Sequence, residues 1–382
     1  MMATAPVSPS LRPESRRGRG KTIGPQTEGN VAHTTPGQGT GAERIRENTR
    51  GQGAPPTRRG LLSVTAAAGL GLLAGCGEQK TDWASPSRSP TPSKEGKTSA
   101  AGSDNKAGRS PSPQPTKRRP ELPRGGRDLS RYRLVGYCGL PGAAALGRLG
   151  TGDLNQRVKE IEKTARDYAA DREPLPVLEL LATVTNSSAG SDGTYRTRVP
   201  DDTIRRFHDA ARRHDAMLLL NIQPGRASAL DEVKALRKWL VKPDVGIALD
   251  PEWDMGPGEV PGDTYGHTSG QELTDVARYL SGVVAEHDLP EKPLVFHQVA
   301  VSVVRDQSAL RQQPGVVMIK SADGIGSPGM KRDTWRQLVK DQPEGLRTGF
   351  KLFYEEDAET SRLMTPKEVL ALRPRPEYVM FE

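Results

Sequence analysis

Asp250-Pro251-Glu252-Trp253-Asp254 is the segment of this chain best equipped for chemistry. Asp250 and Glu252 stand two residues apart, so on an extended strand both carboxylates project from one face. Held out of bulk water, two such groups repel. The repulsion raises the pKa of one and leaves the other ionised, which is the division that acid/base catalysis requires. A further carboxylate, Glu355, follows another apolar run and opens Glu355-Glu356-Asp357. Asn221, Gln223, His297 and Lys351 add hydrogen-bond donors and cations, and each also lies in or beside an apolar segment. Trp253 offers a ring face on which a ligand could stack.

Those apolar segments must position the polar groups. From Arg131 onward short apolar runs alternate with amphipathic stretches. The runs predict strands at 133–139, 176–184, 216–223, 245–252, 293–299, 316–322, 349–355 and 377–381. Helices are expected at 153–170, 201–214, 229–240, 269–287, 329–341 and 365–372, with a weaker one at 302–313. Asp153, Asp201 or Asp202, Ser269 and Thr365 are placed as caps, and Pro366 sits just inside the last helix. Near-continuous apolar strands separated by helices predict a parallel sheet covered on its outside. Eight such units make an α/β fold, a (β/α)8 TIM-type barrel whose last helix is missing, with an open doubly wound sheet as the alternative. No glycine-rich phosphate loop follows any strand, which disfavours nucleotide binding on an open sheet.

Side-chain alternation then sorts the polar residues. Bulky Val245, Ile247 and Leu249 claim the helix side of strand 4, leaving Gly246, Ala248, Asp250 and Glu252 inward. The same parity points Glu179 and Thr183, Asn221 and Gln223, and Lys351, Phe353 and Glu355 into the barrel. His297 and Lys320 are expected beside them, with Asp323 just beyond. Catalytic sites of such barrels form where the strands end. The expectation is that Asp250, Glu252 and Glu355 converge there as the catalytic set, ringed by Trp253, Asn221, Gln223, His297 and Lys351.

The remainder of the chain addresses location. Arg58-Arg59 precede an apolar run of about 15 residues, Leu61 to Gly75, that is too short to span a bilayer comfortably and ends in Leu73-Ala74-Gly75-Cys76. The ending resembles a bacterial lipobox, which implies a diacylglycerol on Cys76 and removal of what precedes it. The arginine pair resembles a twin-arginine export signal, which implies transport of a folded domain. The organisation read is a disordered extension at 1–56, a signal at 57–76, a Ser/Pro/Lys/Arg-rich flexible linker at 77–130 and a barrel domain at 131–382. The expected site is the outer face of the cell membrane, with that membrane as partner through the lipid.

The net charge of +8 raises nucleic acid as a partner, and its distribution removes it. Residues 1–130 hold 21 Lys/Arg against 10 Asp/Glu, whereas 131–382 hold 34 against 37. The basic excess belongs to the tails, and the domain has no nucleic-acid module signature. Of two cysteines, Cys76 is assigned to the lipid. Cys138 stands alone in the domain and reads as a small buried hydrophobe. No His-x-His spacing exists, so a metal site built from Asp250, Glu252, His297 and Asp323 is the weakest option, and neither metal nor cofactor is expected.

Three segments, Val135-Gly136-Tyr137-Cys138-Gly139-Leu140-Pro141-Gly142, Ala248-Leu249-Asp250-Pro251-Glu252-Trp253 and Gly349-Phe350-Lys351-Leu352-Phe353-Tyr354-Glu355-Glu356-Asp357, resemble a group of actinobacterial lipoproteins and cell-wall-associated proteins. That resemblance brings no activity with it. More broadly, carboxylic acids at the ends of strands 4 and 7 resemble the TIM-barrel glycoside hydrolases. The resemblance implies Glu252 as general acid/base, Glu355 as nucleophile, Asp250 as the group tuning Glu252, and an envelope or environmental glycan as substrate. The alternative is a surface protein that binds a glycan or solute without turnover.

Overall fold

The computed structural model describes residues 118–382, and the expectations for the signal, Cys76 and the linker before 118 lie outside them. Eight parallel strands run in chain order: β1 (Tyr132–Gly139), β2 (Glu173–Thr185), β3 (Met217–Ile222), β4 (Val245–Leu249), β5 (Lys292–Gln298), β6 (Val316–Ala322), β7 (Arg347–Leu352) and β8 (Tyr378–Phe381). Each pairs with the next, and β8 returns to β1 with Leu134 opposite Tyr378, so the sheet closes into a barrel. A short strand, Arg196–Arg198, adds antiparallel to the end of β2.

Two apolar layers follow from strand alternation. Val135, Tyr137, Val245, Ile247, Leu249, Phe350 and Leu352 face the helices. Leu134, Cys138, Val177, Leu219, Ala248, Val295, Ile319 and Met380 fill the barrel. Each fully buried large apolar side chain contributes about 1.5–3 kcal/mol. The barrel waist is narrow. A Cβ on inward Gly136 would lie 2.0 Å from the Val177 carbonyl oxygen, and one on Gly246 would lie 2.6 Å from Pro293 Cγ.

The helices that cover the sheet are α1 (Leu154–Arg166), α2 (Asp201–Arg213), α3 (Ala229–Ala235), α4 (Arg237–Leu240), α5 (Gly270–Glu286), α6 (Pro328–Val339), α7 (Glu356–Thr360) and α8 (Pro366–Leu370). Helix α5 shows why they form. Leu273, Val276, Ala277, Leu280 and Val283 recur at helical spacing on its buried face, and Ser269 with Glu272 makes a reciprocal capping box. Thr365 and Glu368 do the same for α8.

Several expectations need correction. Residue 200 rather than an aspartate caps α2, because Pro200 holds the extended cap conformation without a side-chain bond. The stretch 302–313 is 3-10 turns and a two-residue strand, not a helix. Strand β4 stops at Leu249, where Pro251 opens a 3-10 turn, and β7 stops at Leu352. The domain also begins before 131. Leu122 and Leu129 are buried with Tyr132 in the barrel interior, and the Tyr132 hydroxyl donates to the Arg124 and Gly125 carbonyls at 2.9 and 2.8 Å. That segment plugs the N-terminal end of the barrel, leaving the opposite end for polar chemistry.

Candidate functional site

At the C-terminal end of the strands the barrel interior turns from apolar to ionic. Glu179 of β2 is the hub and is fully buried. Asn221 Nδ2 of β3 donates to it at 3.0 Å, His297 Nε2 of β5 lies 3.1 Å away, and the Tyr378 hydroxyl of β8 donates to its other oxygen. Asn221 Nδ2 also reaches Asp250 at 3.0 Å, and Gln223 Nε2 donates to the second Asp250 oxygen at 3.1 Å. On the other side His297 Nδ1 is 3.7 Å from Asp323, Lys351 Nζ is 3.2 Å from Asp323, and the same Nζ is 2.6 Å from Glu382. A continuous polar chain therefore crosses the barrel from Gln223 to Glu382.

Its charges are arranged to coexist. Burial alone would discharge His297, but the Glu179 carboxylate opposite it outweighs burial and holds its pKa above the ordinary value. Burial likewise pushes Glu179 up, and His297, Lys351 and the Tyr378 hydroxyl together hold it below the usual carboxylate range. For Lys351, burial is outweighed by Asp323 and Glu382, so the ammonium stays charged. Buried ions persist only with such partners.

Beside this chain, over the ends of β1, β7 and β8, lies a cleft of about 390 Å³. Glu355, Glu356, Glu359, Glu382, Tyr354 and Arg148 line it. The Arg148 guanidinium stands 5.0 Å over the Tyr354 ring, and Tyr354 stacks on Phe381 at 5.0 Å. The loop bearing Glu355 is pinned by Asp357, which is fully buried. Asp357 accepts from the Phe353 and Gly326 amides at 3.0 and 2.9 Å and pairs with Lys331 at 3.0 Å.

The predicted residues divide accordingly. Asp250, Asn221, Gln223, His297 and Lys351 belong to the polar chain. Glu252 follows it directly on the mouth side, 2% exposed, within the turn Pro251–Trp253, and its carbonyl accepts from Gly266 at 2.7 Å. Glu355 does not point into the barrel. It is exposed at the start of α7, because β7 has already ended and strand parity no longer applies. Trp253 does not present an open ring: the turn tucks it beneath the following loop at 8% exposure. Lys320 faces outward and donates to Gln307 and to the Leu338 carbonyl at 2.5 and 2.8 Å. Thr183, past a bulge in β2, reaches Glu232 of α3 at 3.4 Å.

Two groups escaped the sequence reading. Glu382 lies one residue beyond the last predicted strand, with nothing in its neighbourhood to distinguish it. Asp254 completes an alternating Asp250-x-Glu252-x-Asp254 series, and that spacing could have drawn attention to it. Burial, with Glu272 and Glu259 nearby, pushes its carboxyl up to about 8. Among the described residues no cluster of three or more His, Cys, Asp or Glu is arranged to hold a metal ion.

These features define a closed α/β barrel with a polar, carboxylate-lined mouth. No protein-family model matches the chain, and no curated protein does. Among solved structures it is similar to a hyperthermophilic endo-β-1,4-glucanase in complex with substrate, at 9% identity and a TM-score of 0.36, over 65% of this chain and 88% of that one. It is also similar to the GH18 chitinase ChiB from the chitin utilization locus of Flavobacterium johnsoniae, at 9% identity and a TM-score of 0.34, over 65% and 86%. The likeness to glycoside hydrolases is distant, and the barrel is defined by its own strand order.

Proposed function

We propose that the protein is a surface-tethered glycoside hydrolase that works in the cleft over β1, β7 and β8. One observation carries this reading: two carboxylates from separate strand ends, Glu355 and Glu382, line one cavity, and Lys351 grips the second at 2.6 Å. Glycosidic cleavage needs such a pair. Glu382, held by Lys351, accepts a proton from water as the water oxygen bonds to the anomeric carbon. Glu355 gives its proton to the leaving oxygen as the carbon–oxygen bond breaks, so the net change is addition of water. Asp250 and Glu252, buried past the end of β4, are not among the residues lining the cleft, so they do not meet the substrate there. The substrate class is an envelope or environmental glycan. In this reading Cys76 carries a lipid and the mature chain is held on the outer membrane face, within the group of actinobacterial lipoproteins that its motifs resemble.

Screening the purified protein against an oligosaccharide panel for new reducing ends tests the chemistry. Glu355→Gln should abolish turnover with little change in melting temperature, whereas Glu382→Gln should abolish it and also lower the melting temperature, because buried Lys351 loses one of its two anions. Turnover that survives both changes rules the pair out. Radioactive fatty acid labelling of cells tests the anchor, since Cys76→Ala should incorporate none. The burial of Asp250 and Glu252, 4% and 2% exposed, favours a second reading in which the mouth holds a glycan without cleaving it. Ligand binding with no product from any glycan would select that reading.

A further inference from the structure

The cleft over β1, β7 and β8 is far more acidic than the domain that carries it. Glu355, Glu356, Glu359 and Glu382 line it against a single arginine, Arg148. Residues 131–382 as a whole hold 34 Lys/Arg against 37 Asp/Glu, so the lining is not the average of the surface. The neighbouring cations are engaged elsewhere. Arg148 pairs with Glu160 at 3.2 Å, and Lys351 is divided between Glu382 and Asp323. Lys331 pairs with Asp357, and Arg362 with Glu368. Among the described residues neither Glu355 nor Glu359 forms an ion pair.

Helix geometry does not account for this excess. Acids in a first turn compensate the positive N-terminus of a helix. Here α7 has five residues, Glu356–Thr360, and Glu382 reaches the cleft from the end of β8 instead. Glu355 and Glu359 stand four residues apart and both line the cleft, with the Glu359 amide donating to the Glu355 carbonyl at 2.8 Å. Like charges at that spacing repel, so a cation from outside is what the pair lacks. Nor does the cleft offer an open ring for stacking. Tyr354 already has the Arg148 guanidinium over its ring and Phe381 stacked on it, both at 5.0 Å. What remains are ionised carboxylates, which accept hydrogen bonds and donate none. Their complement is a positively charged ligand rich in donors, an ammonium among hydroxyls.

We propose that the cleft selects an amino-sugar glycan whose amines are free and protonated, in preference to the N-acylated form. The inference rests on the reading of the cleft as a glycan site and names its substrate class. Glu359, exposed and one turn from Glu355, is assigned to the ammonium, which leaves Glu355 and Glu382 for the glycosidic bond.

The test titrates the full chain at pH 6 and low salt, where carboxylates and amines are both charged. One arm uses the β-1,4-linked hexamer of glucosamine, the second its fully N-acetylated counterpart, and the third tetralysine. Calorimetry should show the amine hexamer bound at least tenfold tighter than the acetylated one, with the preference fading at high salt as the charges are screened. Glu359→Gln should weaken the amine hexamer roughly threefold, from the loss of one exposed charge contact, and narrow the gap between the two forms. Glu344→Gln, which neutralises an exposed acid ahead of β7, should change neither. Equal binding of the two hexamers, or no binding of the amine form, overturns the proposal. Tetralysine carries the charge without the hydroxyls, so tighter binding of it than of the amine hexamer overturns the sugar in favour of a basic peptide. New reducing ends separate this inference from the hydrolase reading. Selective binding without product defeats hydrolysis alone, whereas cleavage of the acetylated hexamer at least as fast as the amine hexamer defeats the selectivity alone.

Discussion

Replacing His297 with Leu should cost about 3 kcal/mol, and the cost should depend on pH. His297 and Glu179 are both fully buried and 3.1 Å apart. Removing one partner of a buried ion pair costs about 3–5 kcal/mol, because the other charge stays desolvated. The lower end applies here, since Asn221 and Tyr378 still donate to Glu179. In a domain of this size that is a fall of roughly 6–12 °C in melting temperature. The pH sign follows from the two shifts. His297 has its pKa raised above 6.5, so its contribution is complete below 6.5 and is lost as pH rises through the raised value. Glu179 has its pKa lowered below 4.5, so its contribution is complete above 4.5 and is lost as pH falls through the lowered value. The pair is therefore most stabilising between 4.5 and 6.5. Urea unfolding of parent and variant at pH 6 and pH 9 measures this directly, with Glu179→Gln closing a double-mutant cycle. A penalty under about 1 kcal/mol, or one equal at both pH values, would refute the reasoning.

Three further outcomes are expected. Lys351→Met leaves Asp323 and Glu382 without their shared cation, so it should cost about 3–5 kcal/mol in urea and also suppress glycan turnover. Asp357→Asn keeps the shape but strips the anion from buried Lys331 and weakens the bonds to the Phe353 and Gly326 amides. The segment 353–360 should then be cut faster by protease, and stability should fall by about 2–4 kcal/mol. The Asp254 carboxyl should titrate near pH 8 by carbon NMR. Because its folded pKa lies above the ordinary 3.8, the folded state keeps a proton that the unfolded chain has released. Stability therefore declines as pH rises between about 4 and 8, and Asp254→Asn should flatten that decline.

The closed barrel was legible because apolar runs of strand length, separated by amphipathic helices, admit few arrangements. Alternation then carried the interior correctly for Glu179, Asn221, Asp250, His297 and Lys351. It failed where the strand had already ended. Pro251 cannot continue a ladder and starts a 3-10 turn, so β4 ends at Leu249 instead of reaching 252. Glu355 lies three residues beyond β7, at the start of a helix, and turns outward for the same reason. Lys320 was misplaced by an error of one residue in phase, and a slip of one exchanges the two faces. The cleft itself was invisible, since Arg148, Tyr354 and Glu382 come from three loops and no local pattern links them.

The two ends of the barrel divide the work for a physical reason. Leu122, Leu129 and Tyr132 seal the N-terminal end, so water does not reach the ionic chain from below. That exclusion lowers the effective dielectric around Glu179, His297 and Lys351 and strengthens each pairing. It also makes any unbalanced change in charge there expensive. Chemistry that shifts protons is therefore better placed where the chain meets solvent, and among the groups located here that point is Glu382. Lys351 touches both Asp323 and Glu382, so a change of charge on Glu382 is felt at Asp323 and, beyond it, at His297. If the cleft is catalytic, the pH profile of turnover should shift in Glu179→Gln, although Glu179 contacts nothing in the cleft. An unchanged profile would mean that the buried chain only stabilises the fold.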